Sequence, residues 1–356
     1  MSSLEVKQIN RFFMMALAPF IGLLLGLLLF NRPVPATSPS ADYTPDRSLT
    51  AESESVLQKL DEAELLAEST ISKIQKTAAL YKQTTGVMSD IEKTATAQSA
   101  RPGIIYNRRI TAKLGIPFQT INSDRITIEL YKVNPGVYHG YAMKVKLKDP
   151  SAMQMSLGSG QPGSAETTLR AVQRTGAAAG INAGGFADSG GRRYPLSTTV
   201  LDGKYINGFQ ASYKDLAFVG LNENGKLIGG KFFSQSVLDK LKPVFGATFV
   251  PVLLQNGQKV AIPSKWQVSP ARAPRTVIGN YKDDQLLIIV VEGYNENGSS
   301  GATLQELQNK MYALGIQNAY NLDGGGSSSL VVGGRVINKP SDGNLRPVPT
   351  HFLFYK

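Results

Sequence analysis

The chain has 356 residues, of which 42% are hydrophobic and 18% are charged, with 35 glycines and no cysteine. This length and composition support a full hydrophobic core and exclude a wholly disordered chain, a collagen-like chain and a multi-span membrane protein. The lack of cysteine excludes disulfide scaffolds, thiol nucleophiles and cysteine-ligated metals. The net charge of +11 favours anionic partners, but the basic residues are scattered, so no nucleic-acid-binding surface is predicted.

The histidine content restricts the chemistry further, because the sequence contains only His139 and His351. A metal site built from several histidines is excluded, and a Ser-His-acid triad would have to use one of these two residues. No cofactor is predicted. An oxygen-ligated Mg²⁺ or Ca²⁺ stays open, because these ions need no histidine.

The N-terminal residues 12–30 form an uncharged apolar run. As a helix this run would span roughly 28 Å, close to the hydrocarbon thickness of a bilayer. It predicts a transmembrane anchor within residues 1–30, with a cytoplasmic tip because Lys7 and Arg11 precede it. The alternative is a secretory signal cleaved near Ala36. Both interpretations place the rest of the chain outside the cytoplasm, in the periplasm or another extracytoplasmic space, anchored in the first case and secreted in the second.

Two segments separate this run from the remainder. Residues 31–50 are rich in Pro, Ser and Thr, which is typical of a linker. Residues 51–100 are predicted to form a helical stalk, with a weak heptad-like seam running from Val56 to Tyr81. Two interpretations stay open for residues 51–93: self-association through the seam, or a single amphipathic helix lying on the globular domain.

Residues 101–356 predict one α+β domain, a mixed β-sheet with flanking helices. Strands are expected at residues 126–131, 138–147 and 285–291, the last as a buried central strand. Ser164 is expected to cap a helix that Gly176 ends. Thr303 and Glu306 form a capping box for a second helix that Gly315 ends.

The densest chemical signal is a glycine-rich run, Asn321-Leu322-Asp323-Gly324-Gly325-Gly326-Ser327-Ser328-Ser329. Three glycines permit a backbone nest of N–H donors that suits phosphate, and the serine hydroxyls add donors. Asp323 would meet the bound group as acid, base, nucleophile or anchor. The alternative is a glycine-rich hairpin with a capping aspartate. The run lacks the frames of a phosphate loop and of a nucleophile elbow, which makes a serine hydrolase the weakest hypothesis.

Three further segments add candidate residues. Asn182 and the nearby Gly185 combine an amide with closely approaching backbone, which suits sugar hydroxyls, although a plain turn explains them equally well. Arg275 and Arg346 are candidate phosphate ligands, with surface ion pairs as the alternative. Glu292 ends the predicted central strand. Together these groups indicate acid/base chemistry on a phosphorylated sugar.

The ordered motifs of residues 138–356 resemble the phosphodiester glycosidase family. They are Ile181-Asn182-Ala183-Gly184-Gly185-Phe186, Asp202-Gly203-Lys204, Pro274-Arg275-Thr276, Glu292-Gly293, Gly301 to Leu307, Asn321 to Ser329 and Arg346-Pro347. The resemblance implies hydrolysis of a sugar-1-phosphodiester to a sugar and a phosphomonoester, on exopolysaccharide or envelope glycans in bacterial relatives. Two departures reshape the site: Asn-Ala-Gly-Gly-Phe-Ala stands where the family often has Asn-Gly-Gly-Phe-Phe, and Glu292 stands where Asp is frequent.

The resulting hypothesis is an exported, membrane-anchored bacterial hydrolase that acts on a phosphorylated or anionic glycan. Asp323 and Glu292 are the expected carboxylate pair. The expected substrate-binding residues are Asn182, Gly185, Arg275, Thr276, Asn321, Gly324, Gly325, Gly326, Ser327, Ser328 and Arg346. The alternatives are a non-catalytic glycan-binding or exopolysaccharide assembly protein and a structural tether of the envelope.

Overall fold

A computed structural model describes residues 17–18, 20–26, 47–293 and 300–356. Within these ranges no helix is long and apolar enough to cross a membrane. The predicted anchor at residues 12–30 and the linker at residues 31–50 lie largely outside the described residues, so both stay predictions. The chain divides into two compact units, residues 1–93 and 94–356.

A single long helix, α1 (Arg47–Leu114), passes through both units. In the first unit its apolar side chains are exposed: Leu60 is 59% exposed and Ile74 is 62% exposed. Self-association through this face stays a prediction. In the second unit the helix continues beyond residue 100 to its end, where Ile110 is buried in a core cluster. The first strand, at residues 119–122, follows soon after this helix and was not predicted.

The second unit consists mainly of short strands. In chain order they are β1 (Gln119–Asn122), β2 (Ile126–Val133), β3 (Gly140–Leu147), β4 (Met153–Leu157), β5 (Ala179–Asn182), β6 (Phe186–Ser189), β7 (Arg192–Pro195), β8 (Val200–Leu201), β9 (Lys204–Tyr205), β10 (Ala217–Asn222), β11 (Leu227–Gly230), β12 (Pro243–Phe249), β13 (Val252–Gln255), β14 (Gln258–Lys259), β15 (Arg275–Asn280), β16 (Leu286–Val291), β17 (Asn318–Asn321), β18 (Leu330–Val332), β19 (Arg335–Val336) and β20 (Thr350–Phe354). The helices are α2 (Thr168–Thr175), α3 (Gln235–Asp239), α4 (Ser264–Val268) and α5 (Leu304–Leu314).

The strands form an eight-stranded sheet, two five-stranded sheets and one hairpin. The eight-stranded sheet has the order β1-β2-β3-β16-β15-β17-β13-β14, and the smaller sheets have the orders β11-β10-β12-β8-β9 and β19-β18-β5-β20-β4. The hairpin pairs β6 with β7. The α+β class is confirmed, but the expectation of a mixed sheet is wrong, because the pairings between the described strands are antiparallel. Antiparallel neighbours need only short turns, and few helices are available for parallel crossovers.

The eight-stranded sheet separates two apolar cores. On one face Ile128 and Ile288 lie in a cluster with Phe352 from β20. On the other face Val277 and Ile289 lie in a cluster with residues of α5 such as Met311. Every residue of β16 is buried, and the strand is fourth of eight, which confirms the predicted buried central strand. A sheet covered on both faces holds its strand ends firmly in position.

The helix boundaries follow the capping chemistry. For α5 the Thr303–Glu306 capping box is present, and Gly315 ends the helix in the left-handed conformation, as predicted. For α2 Gly176 is the predicted end, but the N-cap is Thr167 rather than Ser164. The chain is still extended at Glu166, which forms a β-bridge with Val348, so the helix begins later.

Candidate functional site

Three of the predicted residues meet at one edge of the eight-stranded sheet. Arg275 is the first residue of β15 and pairs with the last residue of β16, so Glu292 follows at that edge. On the other side of β15 the Leu322 N–H donates to the Thr276 carbonyl oxygen over 2.8 Å, which brings Asp323 next to Arg275. Glu292 and Asp323 therefore lie on either side of Arg275. Their main chains are two strand spacings apart across the sheet, or ~10 Å.

Arg275 is a buried cation. Only 6% of the residue is exposed. Its Nη2 donates to the Pro270 carbonyl oxygen over 2.9 Å and its Nε to the Ala302 carbonyl oxygen over 3.5 Å, while none of the ion pairs found among residues 47–293 and 300–356 includes it. Burial lowers the pKa of its guanidinium to about 10, so it stays charged at neutral pH. A buried charge without a counter-charge is costly, and an anionic ligand would relieve that cost.

Asp323 is held in place through its main chain. Its N–H donates to the Ala183 carbonyl oxygen over 3.0 Å, and its carbonyl oxygen accepts from Asn182 Nδ2 over 2.6 Å. Its Oδ1 accepts from the Gly324 N–H over 3.1 Å. The carboxylate is half-buried at the start of the glycine-rich loop. Hydrogen bonds to residues at the end of β5 and to the loop therefore hold Asp323 in position.

Asn182 is fully buried and its side chain forms three hydrogen bonds, to β15 and to the two ends of the glycine-rich run. Besides the bond to Asp323, its Oδ1 accepts from Thr276 Oγ1 over 2.8 Å and from the Ser329 N–H over 3.1 Å. Thr276 is itself fully buried. These contacts make Asn182 a clamp between β5, β15 and the loop. A direct contact of Asn182 or Thr276 with a sugar stays a prediction.

The glycine-rich loop is a 3₁₀ turn, Gly325–Ser327. The Gly325 N–H donates to the Pro274 carbonyl oxygen over 2.8 Å, and the N–H groups of Ser327 and Ser328 donate to carbonyl oxygens within the loop over 3.1 Å each. With the Gly324–Asp323 bond, four amides of the predicted nest have acceptors inside the protein. In an open anion nest these N–H groups would point towards a bound anion. Here they bond to acceptors within the protein and stabilise the turn.

Some buried polar side-chain atoms in the glycine-rich run have no hydrogen-bond partner among the described residues. They are Ser327 Oγ, Ser328 Oγ and Asn321 Oδ1. Asn321 Nδ2 donates to the Val250 carbonyl oxygen over 2.6 Å, so the side chain is fixed at one end. Buried polar atoms are normally satisfied by protein, water or ligand. The loop therefore has unused hydrogen-bonding capacity on its buried side.

Arg346 lies against the loop but has an acidic partner. Its Nη2 is 3.2 Å from Asp342 Oδ2. A Cβ atom on Gly326 would overlap both of these atoms, so the glycine permits their approach. Gly185 lies in close contact with the end of β12. Its N–H donates to the Thr248 carbonyl oxygen over 3.0 Å, and a Cβ atom on Gly185 would overlap the Phe249 ring. Substrate contacts of Arg346 and Gly185 stay predictions.

Glu292 lines a polar cavity of about 320 Å³ together with His139, Arg272 and Lys339. Its Oε1 accepts from the Lys339 N–H over 2.5 Å. Burial and, secondly, the Glu292 carboxylate raise the pKa of Tyr141. The second candidate carboxylate therefore faces an open space at the sheet edge.

Comparison with known protein families shows which family the chain belongs to. The family model for phosphodiester glycosidases matches residues 175–355, just over half of the chain. The chain belongs to the phosphodiester glycosidase family. The matched residues include the segments that carry Asn182, Arg275, Asp323 and Arg346.

Individual relatives of the family are distant. The chain is 27% identical over 201 residues to N-acetylglucosamine-1-phosphodiester alpha-N-acetylglucosaminidase from Mus musculus, covering 51% of this chain and 38% of that protein. It is 29% identical over 187 residues to the uncharacterized SPbeta prophage-derived protein YomE from Bacillus subtilis, covering 51% of this chain and 28% of that one. The matches thus span well under half the length of these two relatives.

A solved relative shares the fold. The catalytic domain of zebrafish N-acetylglucosamine-1-phosphodiester alpha-N-acetylglucosaminidase, in a form auto-inhibited by its pro-peptide, superposes with a TM-score of 0.55 at 20% identity. The superposition covers 66% of this chain and 85% of that one. At this identity the likeness concerns the fold.

Two features behind the loop were not predicted from the sequence. His351 on β20 pairs with Asn182 and is fully buried, and burial lowers its pKa to about 4, so the ring is neutral. Its Nδ1 is 3.2 Å from Thr168 Oγ1, which is 2.6 Å from Ser329 Oγ. Asp342 was also missed, although its four-residue spacing from Arg346 was a usable signal.

Proposed function

We propose that this phosphodiester glycosidase hydrolyses a sugar-1-phosphodiester at the glycosyl C1–O bond, releasing the sugar and a phosphomonoester. The observation that carries the proposal is the buried Arg275 guanidinium, which has no carboxylate partner among the described residues; Arg275 begins β15, and Asp323 follows the neighbouring strand β17. A phosphate bound there would neutralise the cation with charge-assisted hydrogen bonds. The sugar C1 would then lie near a carboxylate held by main-chain contacts.

The proposed chemistry needs few groups. Water adds to C1, either directly or after a glycosyl-enzyme intermediate, while the C1–O bond breaks and its electron pair leaves with the phosphomonoester. The leaving group is already stable as an anion, so stabilising its charge through Arg275 matters more than protonating it. Asp323 acts as the base or nucleophile. Glu292, on the other side of Arg275, is the second carboxylate and takes the remaining proton-transfer role.

We propose an exported location and a glycan of the cell envelope or exopolysaccharide as the substrate. The apolar residues 12–30 support membrane anchoring, and the net charge of +11 supports an anionic polymer. The mouse relative is named N-acetylglucosamine-1-phosphodiester alpha-N-acetylglucosaminidase, which makes N-acetylglucosamine the first sugar to test.

The test uses the purified full-length chain and methyl phosphodiesters of α-N-acetylglucosamine, α-glucose and α-galactose. Mass spectrometry should find free sugar and methyl phosphate with at least one of them. Sugar 1-phosphate and methanol would contradict the proposal, because they require cleavage on the other side of phosphorus. Binding without any product would instead support the alternative of a non-catalytic glycan-binding protein.

A further inference from the structure

Another cavity, of about 540 Å³, lies within the globular unit between residues 99–108 of α1 and strands β2 and β3. The charged and amide side chains that line it define what we call the lysine cavity: Asn107, Arg108, Glu129, Lys144, Lys146, Lys148 and Gln285. None of these residues belongs to the motifs that carry the family resemblance or to the candidate site.

The lining is strongly cationic. Lys144 has a side chain that is 4% exposed and contacts the carboxylate of Glu129, and its Nζ also donates to Asn107 Oδ1 over 2.7 Å. This pair neutralises the lining carboxylate. Arg108, Lys146 and Lys148 remain, and the ion pairs found among the described residues include none of the three. The cavity therefore presents three uncompensated positive charges.

The cations are ordered along a strand. Lys144 and Lys146 lie two residues apart on β3, so their side chains point to the same face about 7 Å apart. Lys148 follows the end of the strand and lines the same cavity. Lys148 Nζ donates to Asn122 Oδ1 over 2.9 Å and to the Ser123 carbonyl oxygen over 2.6 Å, neutral acceptors that direct the ammonium without cancelling its charge. A row of cations of this kind fits several anionic groups along one chain.

Gln285 adds a group that recognises hydroxyls. The residue is 3% exposed, and its Nε2 donates to Asp283 Oδ2 over 2.7 Å. Its Oε1 is buried and has no hydrogen-bond partner among the described residues. A carbonyl oxygen accepts from hydroxyl groups and repels anions, so this position suits a sugar hydroxyl better than a phosphate.

We propose that the lysine cavity binds an anionic stretch of polysaccharide at a second site. Lys144 pairs with Leu287, four residues from the end of β16 where Glu292 follows, so the cavity begins about 14 Å along the sheet from the candidate site. The identification of the ligand as a glycan rests on the proposed function. The binding itself does not require turnover, so the two proposals fail separately.

The test is calorimetric titration of the full-length chain with hexagalacturonate, and with maltohexaose as the neutral probe. The Lys146→Gln/Lys148→Gln double variant should weaken hexagalacturonate binding at least tenfold and flatten its dependence on salt. The matched control, Lys204→Gln/Lys240→Gln, removes the same charge from exposed positions elsewhere and should bind as the wild type does. Hydrolysis of a small sugar-1-phosphodiester should be equal in all three proteins.

Equal hexagalacturonate binding by the two double variants, or no binding by the wild type, would overturn the proposal. So would maltohexaose binding as tightly as hexagalacturonate. Two other anionic probes distinguish the sources of charge. Inorganic phosphate that displaces hexagalacturonate at the same concentration would indicate a simple anion pocket. Phosphatidylglycerol vesicles that bind where hexagalacturonate does not would indicate a lipid-binding surface. Either result contradicts a polysaccharide site.

Discussion

Asn182 Nδ2 donates a hydrogen bond to the main-chain oxygen of Asp323 over 2.6 Å. The two residues are distant in sequence and belong to different sheets, since Asn182 ends β5 and Asp323 follows β17. The same amide accepts from Thr276 Oγ1 and from the Ser329 N–H. The site loop is thus joined to both sheets by one side chain.

Replacing this amide should unfold the protein more readily and disturb the loop. In Asn182→Ala the Asp323 oxygen, the Thr276 hydroxyl and the Ser329 N–H all lose a buried partner, so the free energy of unfolding should fall by about 2–4 kcal/mol. Urea denaturation measures this change. Asn224→Ala, at an exposed position, is the control and should stay within about 0.5 kcal/mol of the wild type. An equal effect of both variants would contradict the clamp.

The Asp323 carboxylate should matter for turnover and little for stability. Asp323→Asn keeps the shape and the main-chain bonds, so the unfolding free energy should change by less than about 1 kcal/mol while kcat falls by about 10²–10⁴-fold. Steady-state kinetics on a sugar-1-phosphodiester measure this loss. Asp188→Asn, at an exposed residue paired with Arg193, should keep full activity. Retained activity in Asp323→Asn would remove Asp323 from the mechanism.

Arg275 and Arg174 should respond in opposite ways to loss of charge. Arg275→Met removes a buried cation that has no acidic partner among the described residues, so stability should be unchanged or higher, while kcat/KM falls by about 10²-fold through lost phosphate binding. Arg174→Met leaves the Glu166 carboxylate, at 6% exposure, without its partner at 2.5 Å, so the free energy of unfolding should fall by about 2–3 kcal/mol.

Thermal melting with and without phosphate separates these effects. Phosphate should raise the Tm of the wild type and of Arg174→Met, but not of Arg275→Met. A large loss of stability in Arg275→Met would mean that the guanidinium holds the fold together rather than a ligand.

His351 should make the protein less stable below neutral pH. Burial lowers its pKa to about 4, against about 6.5 for an unfolded histidine, and the nearby Glu166 only partly offsets this effect. Between pH 6.5 and pH 4 the unfolded chain therefore binds more protons, so the free energy of unfolding falls as the pH falls, by about 2–3 kcal/mol over that window. Urea denaturation across this range should show the loss in the wild type.

The same series in two variants assigns the effect. His351→Gln cannot be protonated and should lose this part of the pH dependence, whereas His139→Gln, at an exposed position, should keep it. Identical slopes in the wild type and in His351→Gln would show that another group is responsible.

Local signals in the sequence predicted local structure well. The Thr303–Glu306 capping box, the helix end at Gly315 and the apolar β16 all depend on residues close to one another, and all three are present. The motif residues Arg275 and Asp323 also meet at one edge. Their approach depends on the pairing of β15 with β17, which no local pattern predicted.

Features that depend on strand order were not predictable in this way. No short-range pattern pairs His351 with Asn182 or makes every pairing in the eight-stranded sheet antiparallel. The glycine-rich loop is instructive, because glycines permit both an open nest and a closed turn. The closed turn forms here because a distant segment supplies an acceptor for one of its N–H groups, the Pro274 carbonyl oxygen.

The central claim is that hydrolysis breaks the glycosyl C1–O bond, and oxygen labelling tests it most directly. The full-length chain would cleave a sugar-1-phosphodiester in H₂¹⁸O, and mass spectrometry would locate the label in the products. Cleavage at C1–O places ¹⁸O in the released sugar and leaves the phosphomonoester unlabelled, which is the expected result. Label in the phosphomonoester would mean that water attacks phosphorus, and the account of Asp323 and Arg275 as a glycosidase site would be wrong.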